Sequence, residues 1–378
     1  MKHKNIKSNG KCSVVDLDKL CFVRKGMSVT KDKIKSGRIP VIAGGKAPAY
    51  YHSESNRDGN VITVSASGAN AGFVNFFTQP IFASDCSTVE VIDPKKTDIS
   101  YVYLNLQNQQ NILYSYQQGG AQPHVYPADI VKLKIPIPSI EEQKEIVKTI
   151  STWDTAIDNI KKQITAHNKQ RSGILQKLLE DNLKKYPMIT LEQIFNIEVV
   201  PSKKDVLVEQ GKYFVIDMGG VSSSGELIKK KMTDTTEHML EVNDLIMPKD
   251  DIGHGNILGK VAIIDTANKY VLGDHVFRLC NKSQNNIQFL RILINSPKIN
   301  RSIKRLGNGT SQIGLRKSDI LKHLLPIPDI KEQNKISTEV LTWERKIYLL
   351  ETILSKYELQ RKGLIQKLLG NITKNAKH

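Results

Sequence analysis

The segment that most resembles a chemical site is a glycine-rich loop, Gly253-His254-Gly255-Asn256-Ile257-Leu258-Gly259-Lys260. A phosphate-binding loop needs a fixed spacing between its first glycine and Gly-Lys, and a Ser or Thr after the lysine to hold magnesium. Here the glycine spacing differs and Val261 follows the lysine. The GxGxxG spacing of a dinucleotide-binding loop is also missing. The loop therefore predicts no nucleotide site.

Other residues with catalytic or metal-binding chemistry lack the partners that such chemistry needs. The sequence has no GxSxG elbow, no HExxH pair and no Asn/Asp-Pro-Pro-aromatic tetrapeptide of the kind that holds a flipped base in amino-methylating enzymes. Asp85 stands beside Cys86, but no motif places a histidine near them, so we expect Asp85 to bond turn amides. Cys12, Cys21, Cys86 and Cys280 form no CxxC pair, which excludes a zinc knuckle or redox dithiol. We expect no catalysis and no metal site in this chain alone.

Charge is the strongest compositional signal. The 378 residues leave room for two domains, and 39% hydrophobic with 25% charged residues is typical of a globular protein. Lys and Arg outnumber Asp and Glu by 55 to 38, a net charge of +17. Such an excess favours polyanionic partners, most often nucleic acid, although a generally basic proteome would also produce it. Sparse cysteines, a polar N-terminus and the lack of long apolar runs predict a cytoplasmic protein without membrane segments.

A stretch of about 45 residues occurs twice. It begins with IPIPSIEEQ at Ile135 and again with LPIPDIKEQ at Leu325, and each copy ends in Gln-Lys-Leu-Leu. The segments that precede the two copies have similar lengths and quite different sequences. A shared frame with two unlike inserts indicates one task performed twice on two different targets.

Each copy is predicted to form a long helix. Pro-x-Pro holds the chain extended, and Ser139 or Asp329 then acts as N-cap with Glu142 or Glu332 three residues later. About 40 helical residues would span roughly 60 Å. Beyond the caps, apolar residues recur in heptad steps of four and three. They are Ile146, Ile150, Trp153, Ile157, Ile160, Ile164, Ile174 and Leu178 in the first copy, and Ile336, Val340, Trp343, Ile347, Leu350, Leu354, Leu364 and Leu368 in the second.

Two stripes in one register favour two helices that pack on each other, and the domain between them permits an antiparallel pair. The alternative is that each stripe packs on the core of its own domain. Polar residues interrupt both stripes at matching heights, where they could fix the register; they are His167, Arg171, Tyr357 and Arg361. Gly173 and Gly363 could instead permit close approach or a bend. The predicted fold is α+β, with two α/β domains joined by two long helices in an antiparallel coiled coil.

The two inserts, residues 13–134 and 187–324, are predicted to contain short strands between Gly/Asn/Ser/Asp turns, with one or two helices. Leu17–Leu20 and Leu191–Ile194 match as opening helical turns. Near the end of each insert, Gly119-Gly120-Ala121-Gln122 parallels Gly309-Thr310-Ser311-Gln312. Matching scaffold positions with different loop residues are typical of divergent specificity.

From about Asp16 to Leu369 the chain resembles the specificity (S) subunit of type I restriction–modification systems. The resemblance rests on the duplicated helix starts and on three strings: SASGANAGFV (Ser65–Val74), SDCSTVEV (Ser84–Val91) and GGAQPHVYPADI (Gly119–Ile130). The second insert departs from the pattern, since Thr310–Leu315 reads TSQIGL where the first has AQPHV. Loop equivalence is therefore weaker there.

The resemblance implies two target recognition domains, each reading one half of a split sequence in double-stranded DNA. We place them at residues 1–134 and 181–324, the two helices at 135–180 and 325–370, and a basic tail at 371–378. The coiled coil would set the spacing and dock two modification (methyltransferase) subunits, which restriction (translocase/nuclease) subunits then join. S-adenosylmethionine, ATP and Mg²⁺ are expected on those partners, and no cofactor is expected on this chain.

Phosphate contacts by Lys and Arg supply affinity, whereas base edges are read by Arg or Lys on guanine and Asn or Gln on adenine. Glycine-rich loops with such residues occur in both inserts. The candidates for DNA contact in the first are Lys46, Tyr50, Ser65, Ser67, Asn70, Gln118, Gln122 and His124. Those in the second are Ser222, Ser224, Lys229, Lys231, Lys249, His254, Asn308, Ser311, Gln312 and Arg316.

Three other functions remain open at this point. A coiled-coil adaptor that binds proteins would explain the helices, but it would not explain the charge of +17 or the paired polar loops. A stand-alone modifying enzyme or nuclease is opposed by the missing catalytic motifs. The third alternative is a spare specificity copy used for recombination.

Overall fold

The chain divides into two compact units. A computed structural model describes residues 13–29, 35–201, 206–252, 255–309 and 313–375. The first unit comprises residues 1–161 and 352–378, and the second unit comprises residues 162–351. Each unit therefore contains one insert and parts of both long helices.

Short strands in the first unit form a four-stranded antiparallel sheet, a three-stranded sheet and a two-stranded ribbon. The sheet orders are β2-β8-β5-β6, β4-β3-β7 and β1-β9, and β3 and β7 run parallel. The central strand β5 reads VITVS and is buried at every position, as expected for β-branched residues between two packed layers. The strands are β1 Ser13–Asp16, β2 Cys21–Lys25, β3 Ile39–Ile42, β4 Tyr50–His52, β5 Val61–Ser65, β6 Val74–Phe77, β7 Phe82–Ala83, β8 Cys86–Val91 and β9 Lys134–Ile137.

The second unit repeats this plan. Its main sheet has the order β11-β19-β15-β17, which matches the first unit strand for strand, and β10-β21 repeats the ribbon. Another sheet has the order β12-β14-β13-β18, and β16 pairs with β20. The strands are β10 Met188–Thr190, β11 Phe195–Glu198, β12 Leu207–Val208, β13 Tyr213–Ile216, β14 Lys231–Thr233, β15 Leu245–Pro248, β16 Asp250–Asp251, β17 Ala262–Ile263, β18 Tyr270–Leu272, β19 Val276–Asn281, β20 Ile313–Gly314 and β21 Leu324–Pro326.

Helices cover one face of each main sheet, and the two predicted opening turns are confirmed at Leu17–Lys19 and Leu191–Ile194. Asp98 and Asn286 cap α1 and α6 by accepting from the amides of Tyr101 and Phe289, each at 3.0 Å. The α-helices are α1 Ile99–Asn108, α2 Gln110–Ser115, α3 Pro127–Ile130, α4 Ile140–Leu175, α5 Leu191–Ile194, α6 Ile287–Asn295, α7 Pro297–Lys304, α8 Lys317–Lys322 and α9 Ile330–Asn375. Among the described residues, none of these helices has an apolar stretch of the length that a bilayer crossing demands.

The two long helices begin as the sequence predicts. The amide of Glu142 donates to Ser139 Oγ at 3.3 Å, and the amide of Glu332 donates to Asp329 Oδ1 at 2.9 Å. Helix α4 has 36 residues and α9 has 46. A π-helical turn, Gln176–Glu180, follows α4.

Within each unit the long helices run antiparallel to each other. In the first unit the rings of Trp153 and Tyr357 lie 5.3 Å apart, and Arg361 forms a bidentate pair with Asp154. In the second unit the equivalent positions of the repeat are in contact, but the tryptophan now comes from α9 and its partner from α4. The rings of Trp343 and His167 lie 5.2 Å apart, and Arg171 lies 3.5 Å from Glu344. The residues predicted to interrupt the stripes thus pair with partners on the other helix.

The ends of the stripes join the globular cores. Ile146 and Ile150 pack with Ile365 and Leu369 in the cluster that also holds the sheet residues of the first unit. Leu179, Ile336 and Val340 do the same in the second unit. The two alternatives for the stripes, mutual pairing and packing on a domain core, therefore apply to different parts of each helix.

The remaining predicted stripe residues are buried or half-buried, none of them being exposed. The structure also buries Leu179, Ile365 and Leu369, which a strict heptad does not select. A straight α-helix has 3.6 residues per turn, so its buried face shifts gradually relative to a 3.5-residue repeat. The shift is seen where each long helix stops packing on the other helix and packs on a globular core instead.

Candidate nucleic-acid interface

In the first unit, a loop after β5 and a hairpin after α2 are joined by main-chain hydrogen bonds. The Gly68 amide donates to the Pro123 carbonyl at 2.9 Å, and the Val125 amide donates to the Ala66 carbonyl at 3.0 Å. Gln118 and His124 close the hairpin by exchanging two main-chain bonds of 2.9 and 2.8 Å. We call residues 66–72 with 118–125 the first loop pair. It contains the candidates Ser67, Asn70, Gln118, Gln122 and His124.

The polar side chains of the hairpin are accessible. Gln118 and Gln122 are exposed, and Gln118 Nε2 donates to Asp129 Oδ2 at 3.2 Å. The half-buried ring of His124 stacks on the Tyr126 ring at 6.1 Å between centroids. These groups offer amide and imidazole donors and acceptors, the types that read base edges.

Two candidate serines are buried and bonded inside the unit. Ser65 is 3% exposed and its hydroxyl donates to the Gly45 carbonyl at 3.4 Å. Ser67 is 8% exposed and its hydroxyl donates to the Asp85 carboxylate. We expected Asp85 to bond turn amides, and its carboxylate instead accepts from a side-chain hydroxyl. These bonds tie neighbouring loops together.

Lys46 and Tyr50 lie on the segment that follows β3. Lys46 is exposed, its ammonium lies 5.2 Å from the centroid of the Phe73 ring, and its carbonyl accepts from Asn75 at 3.2 Å. Lys46 is thus brought beside the first loop pair. Tyr50 is half-buried in β4, opposite Val41 of β3.

In the second unit, the segment after β15 pairs with the segment after α7. Asp250 lies opposite Gly314, and the Leu315 amide donates to the Lys249 carbonyl at 2.6 Å. Asn308 exchanges two main-chain bonds with Gly314, of 3.0 and 2.9 Å. We call residues 249–252 with the described part of 308–316 the second loop pair. It brings together the candidates Lys249, Asn308 and Arg316, of which the last two are exposed.

Four other candidates lie on the segment 221–231. The hydroxyls of Ser222 and Ser224 lie 2.8 Å apart. Lys229 Nζ lies 3.8 Å from Asp265 Oδ2 and 5.3 Å from the Tyr270 ring centroid. Lys231 pairs with the buried carboxylate of Asp217. Both lysines are already paired with acidic residues, which they would have to leave to contact DNA phosphates. The candidates His254, Ser311 and Gln312 lie outside the described residues.

The described residues contain no arrangement that would bind a metal or supply a reactive thiol. No group of three or more His, Cys, Asp or Glu side chains in this part of the chain could hold a metal ion. Burial raises the pKa of Cys86 to about 12, and that of Cys21 likewise to about 12. A thiol with such a pKa stays protonated at neutral pH, which removes the Asp85–Cys86 pair as a nucleophile.

Both units thus repeat a loop pair on a matching sheet, with different residues in the loops. A family model described as "Type I restriction modification DNA specificity domain" matches residues 9–167 and, a second time, residues 184–358. These two matches span most of the chain. The chain belongs to this family. Each match to the DNA specificity domain contains one loop pair and the start of one long helix.

Relatives of this specificity protein agree in extent and fold. It is 27% identical over 333 residues to "Type I restriction enzyme MjaVIII specificity subunit" of Methanocaldococcus jannaschii, covering 82% of this chain and 78% of the relative. The crystal structure of a type I S subunit from M. genitalium superposes with a TM-score of 0.69 at 20% identity, covering 97% of this chain and 98% of the other. A chain from a structure of a type I restriction–modification assembly gives a TM-score of 0.54 at 11% identity, covering 97% and 99%. The predicted family and fold class are confirmed.

Proposed function

We propose that each unit of this DNA specificity subunit reads one half of a bipartite target, with its loop pair against the bases. The protein is a non-catalytic member of a type I restriction–modification system. The observation that supports two separate readers is the repetition of one sheet order and one loop pairing with different loop residues. A fixed frame with variable loops lets the two half-sites differ while the mode of docking stays the same.

The domain limits that we propose are those of the sequence analysis, with recognition domains at 1–134 and 181–324. For DNA contact we propose first the exposed candidates of the loop pairs: Gln118, Gln122, Asn308 and Arg316. Arg316 suits guanine and the carboxamides suit adenine, because each can form a bidentate pair with that base in the major groove. The buried Ser65 and Ser67 would support loop geometry.

The long helices are proposed to set the spacing between half-sites and to dock two modification subunits, with restriction subunits completing the complex. Helix α9 exposes large apolar side chains that its own unit leaves uncovered. Leu349 is 51% exposed in the second unit, and Leu359 is 72% exposed in the first. Exposed apolar side chains on a helix are typical of a surface that a partner covers. S-adenosylmethionine, ATP and Mg²⁺ would bind to those partners, and the complex would act on DNA in the cytoplasm.

The proposal is tested by exchanging one insert. Residues 13–134 are replaced by the equivalent insert of another specificity subunit, and methylated adenines are mapped in hosts that express the original chain, the hybrid or neither. We expect one half of the methylated motif to change and the other half and the spacer length to persist. A change in both halves would contradict two independent readers. If no motif depends on the gene, and the purified chain shows no salt-dependent affinity for duplex DNA, a protein-binding adaptor becomes the better explanation.

A further inference from the structure

Side-chain carboxamides in or near the helices bond main-chain groups of the segments that contain the loop pairs. In the first unit, Gln117 Nε2 donates to the Ala71 carbonyl at 2.8 Å. Gln110 bonds the same loop twice, with Nε2 donating to the Gly72 carbonyl at 2.7 Å and Oε1 accepting from the Val74 amide at 3.1 Å. The loop is therefore bonded both to the hairpin and to these two glutamines.

The second unit does the same with asparagines. Asn295, at the end of α6, accepts from the Val261 amide at 2.9 Å and donates to the Val261 carbonyl at 2.8 Å. Asn300 of α7 is 4% exposed, and its Nδ2 donates to the Leu258 carbonyl at 3.3 Å. Leu258 and Val261 follow the second loop pair in the sequence, at the end of the segment that starts at Lys249.

Close packing accompanies the bonds in both units. Gly72 has φ +88° and Gly259 has φ +66°, a conformation that favours glycine. A Cβ on Gly72 would lie 2.9 Å from the Leu113 carbonyl oxygen, and one on Gly259 would lie 2.5 Å from Ile303 Cγ2. At Gly72 and Gly259 the main chain thus approaches the neighbouring helix too closely for any side chain to fit. This contact fixes the position from which each segment returns to the sheet.

We propose that Gln110, Gln117, Asn295 and Asn300 are positioning residues for sequence readout. All of their described bonds to the loops go to main-chain groups, so they are indifferent to which side chains the loop presents. Loop residues can then change, and with them the bases that are read, while the loop conformation is retained. Rigid support behind a recognition loop maintains discrimination, because a loop that relaxes can adapt to a wrong base. This inference rests on the proposed function.

The test uses the full chain and a pool of duplexes with randomised bases, from which bound sequences are selected and read. Gln117→Met keeps the length of the side chain and removes the donor to Ala71. The matched control is Gln109→Met, because Gln109 Nε2 also donates to a main-chain carbonyl, that of Lys134 at 3.1 Å, outside the loop. Thermal unfolding of each variant shows whether the fold persists, and Asn300→Ala provides the corresponding change in the second unit.

We expect Gln117→Met to reduce discrimination at one half-site by roughly threefold to tenfold, the effect of one hydrogen bond. The other half-site and the affinity for non-specific DNA should stay unchanged, and Asn300→Ala should relax the opposite half-site. A purely structural role would lower the unfolding temperature and weaken both half-sites together, which would overturn the inference. Equal relaxation by Gln109→Met would overturn it as well. If the original chain selects a bipartite motif and Gln117→Met selects the same motif with equal stringency, this inference fails and the proposed function stands. If the original chain selects no motif, the proposed function itself fails.

Discussion

Glu344 and Asp154 occupy equivalent positions in the two copies of the repeat, yet their arginine partners differ in burial. Glu344 Oε2 accepts from the Arg291 guanidinium at 2.6 Å, and the Arg291 side chain is 8% exposed. The other partner of Glu344, Arg171 at 3.5 Å, is 40% exposed and therefore screened by solvent, as Arg361 is. Removing one partner of a buried ion pair leaves an unneutralised charge, which costs roughly 3–5 kcal/mol. We expect Glu344→Gln to lower the free energy of unfolding of the second unit by about 3 kcal/mol. We take the lower end of the roughly 3–5 kcal/mol range because the side-chain oxygen of the new glutamine can still accept a hydrogen bond from Arg291.

Asp154→Asn is the matched control. Its partner Arg361 is 23% exposed and Asp154 is 45% exposed, so solvent screens this pair and its removal should cost at most about 1 kcal/mol. The chain has two tryptophans, Trp153 in the first unit and Trp343 in the second, and each lies in the coiled coil near the substituted residue. Urea unfolding followed by fluorescence in a Trp153→Phe background reports on the second unit, and in a Trp343→Phe background on the first. Equal destabilisation by the two substitutions would refute the argument that burial of the arginine decides the cost.

Three further predictions concern charge, pH and thiols. Burial and the neighbouring Lys304 ammonium lower the pKa of Lys260, whose Nζ donates to the Asn295 carbonyl at 3.0 Å. Neither lysine forms an ion pair in the part of the chain that the structure describes. We expect both lysines to bind DNA phosphates. The double variant Lys260→Gln with Lys304→Gln should therefore reduce the slope of log affinity against log salt concentration by about 0.9 for each phosphate that is no longer neutralised. An unchanged slope would contradict this expectation. Burial lowers the pKa of His323, so at this position the unfolded chain binds a proton more readily than the folded chain does. Thermal stability should therefore fall as the pH falls below about 6.5, and it should fall less in His323→Gln. The thiols of Cys21 and Cys86, whose pKa burial raises to about 12, should resist iodoacetamide at pH 8 in the folded protein and react after unfolding, as mass spectrometry of their peptides would show.

The repeated helices could be predicted from sequence because caps and heptads are local signals. Ser139 and Asp329 cap the helices as expected. The shared register of the two stripes indicated that the helices pair, and the domain between them permitted the antiparallel direction. What the pattern could not give is where each helix stops contacting its partner. That depends on the shape of the globular cores, which decides whether Leu368 or Leu369 is the better buried.

The loop pairs were only partly predictable. The string around Gly119–Gln122 indicated a loop of interest, but its pairing with residues 66–68 is a contact between distant parts of the chain. Ser65 is buried in the central strand β5 and Ser67 beside Asp85, so composition alone could not separate them from the exposed Gln122. The supporting Gln117 and Asn300 gave no sequence signal, since a single Gln or Asn in or beside a short helix is ordinarily solvated.

The core of the first unit is assembled from two segments that lie far apart in the sequence. Ile146 and Ile150 lie in the same cluster as Ile365 and Leu369, some 220 residues downstream by their numbering. A ribosome makes Ile146 and Ile150 long before it makes Ile365 and Leu369, so the first unit must remain until then with part of its apolar surface uncovered. Premature termination before Ile365 would therefore damage the first of the two units, although the lost residues lie outside residues 13–150.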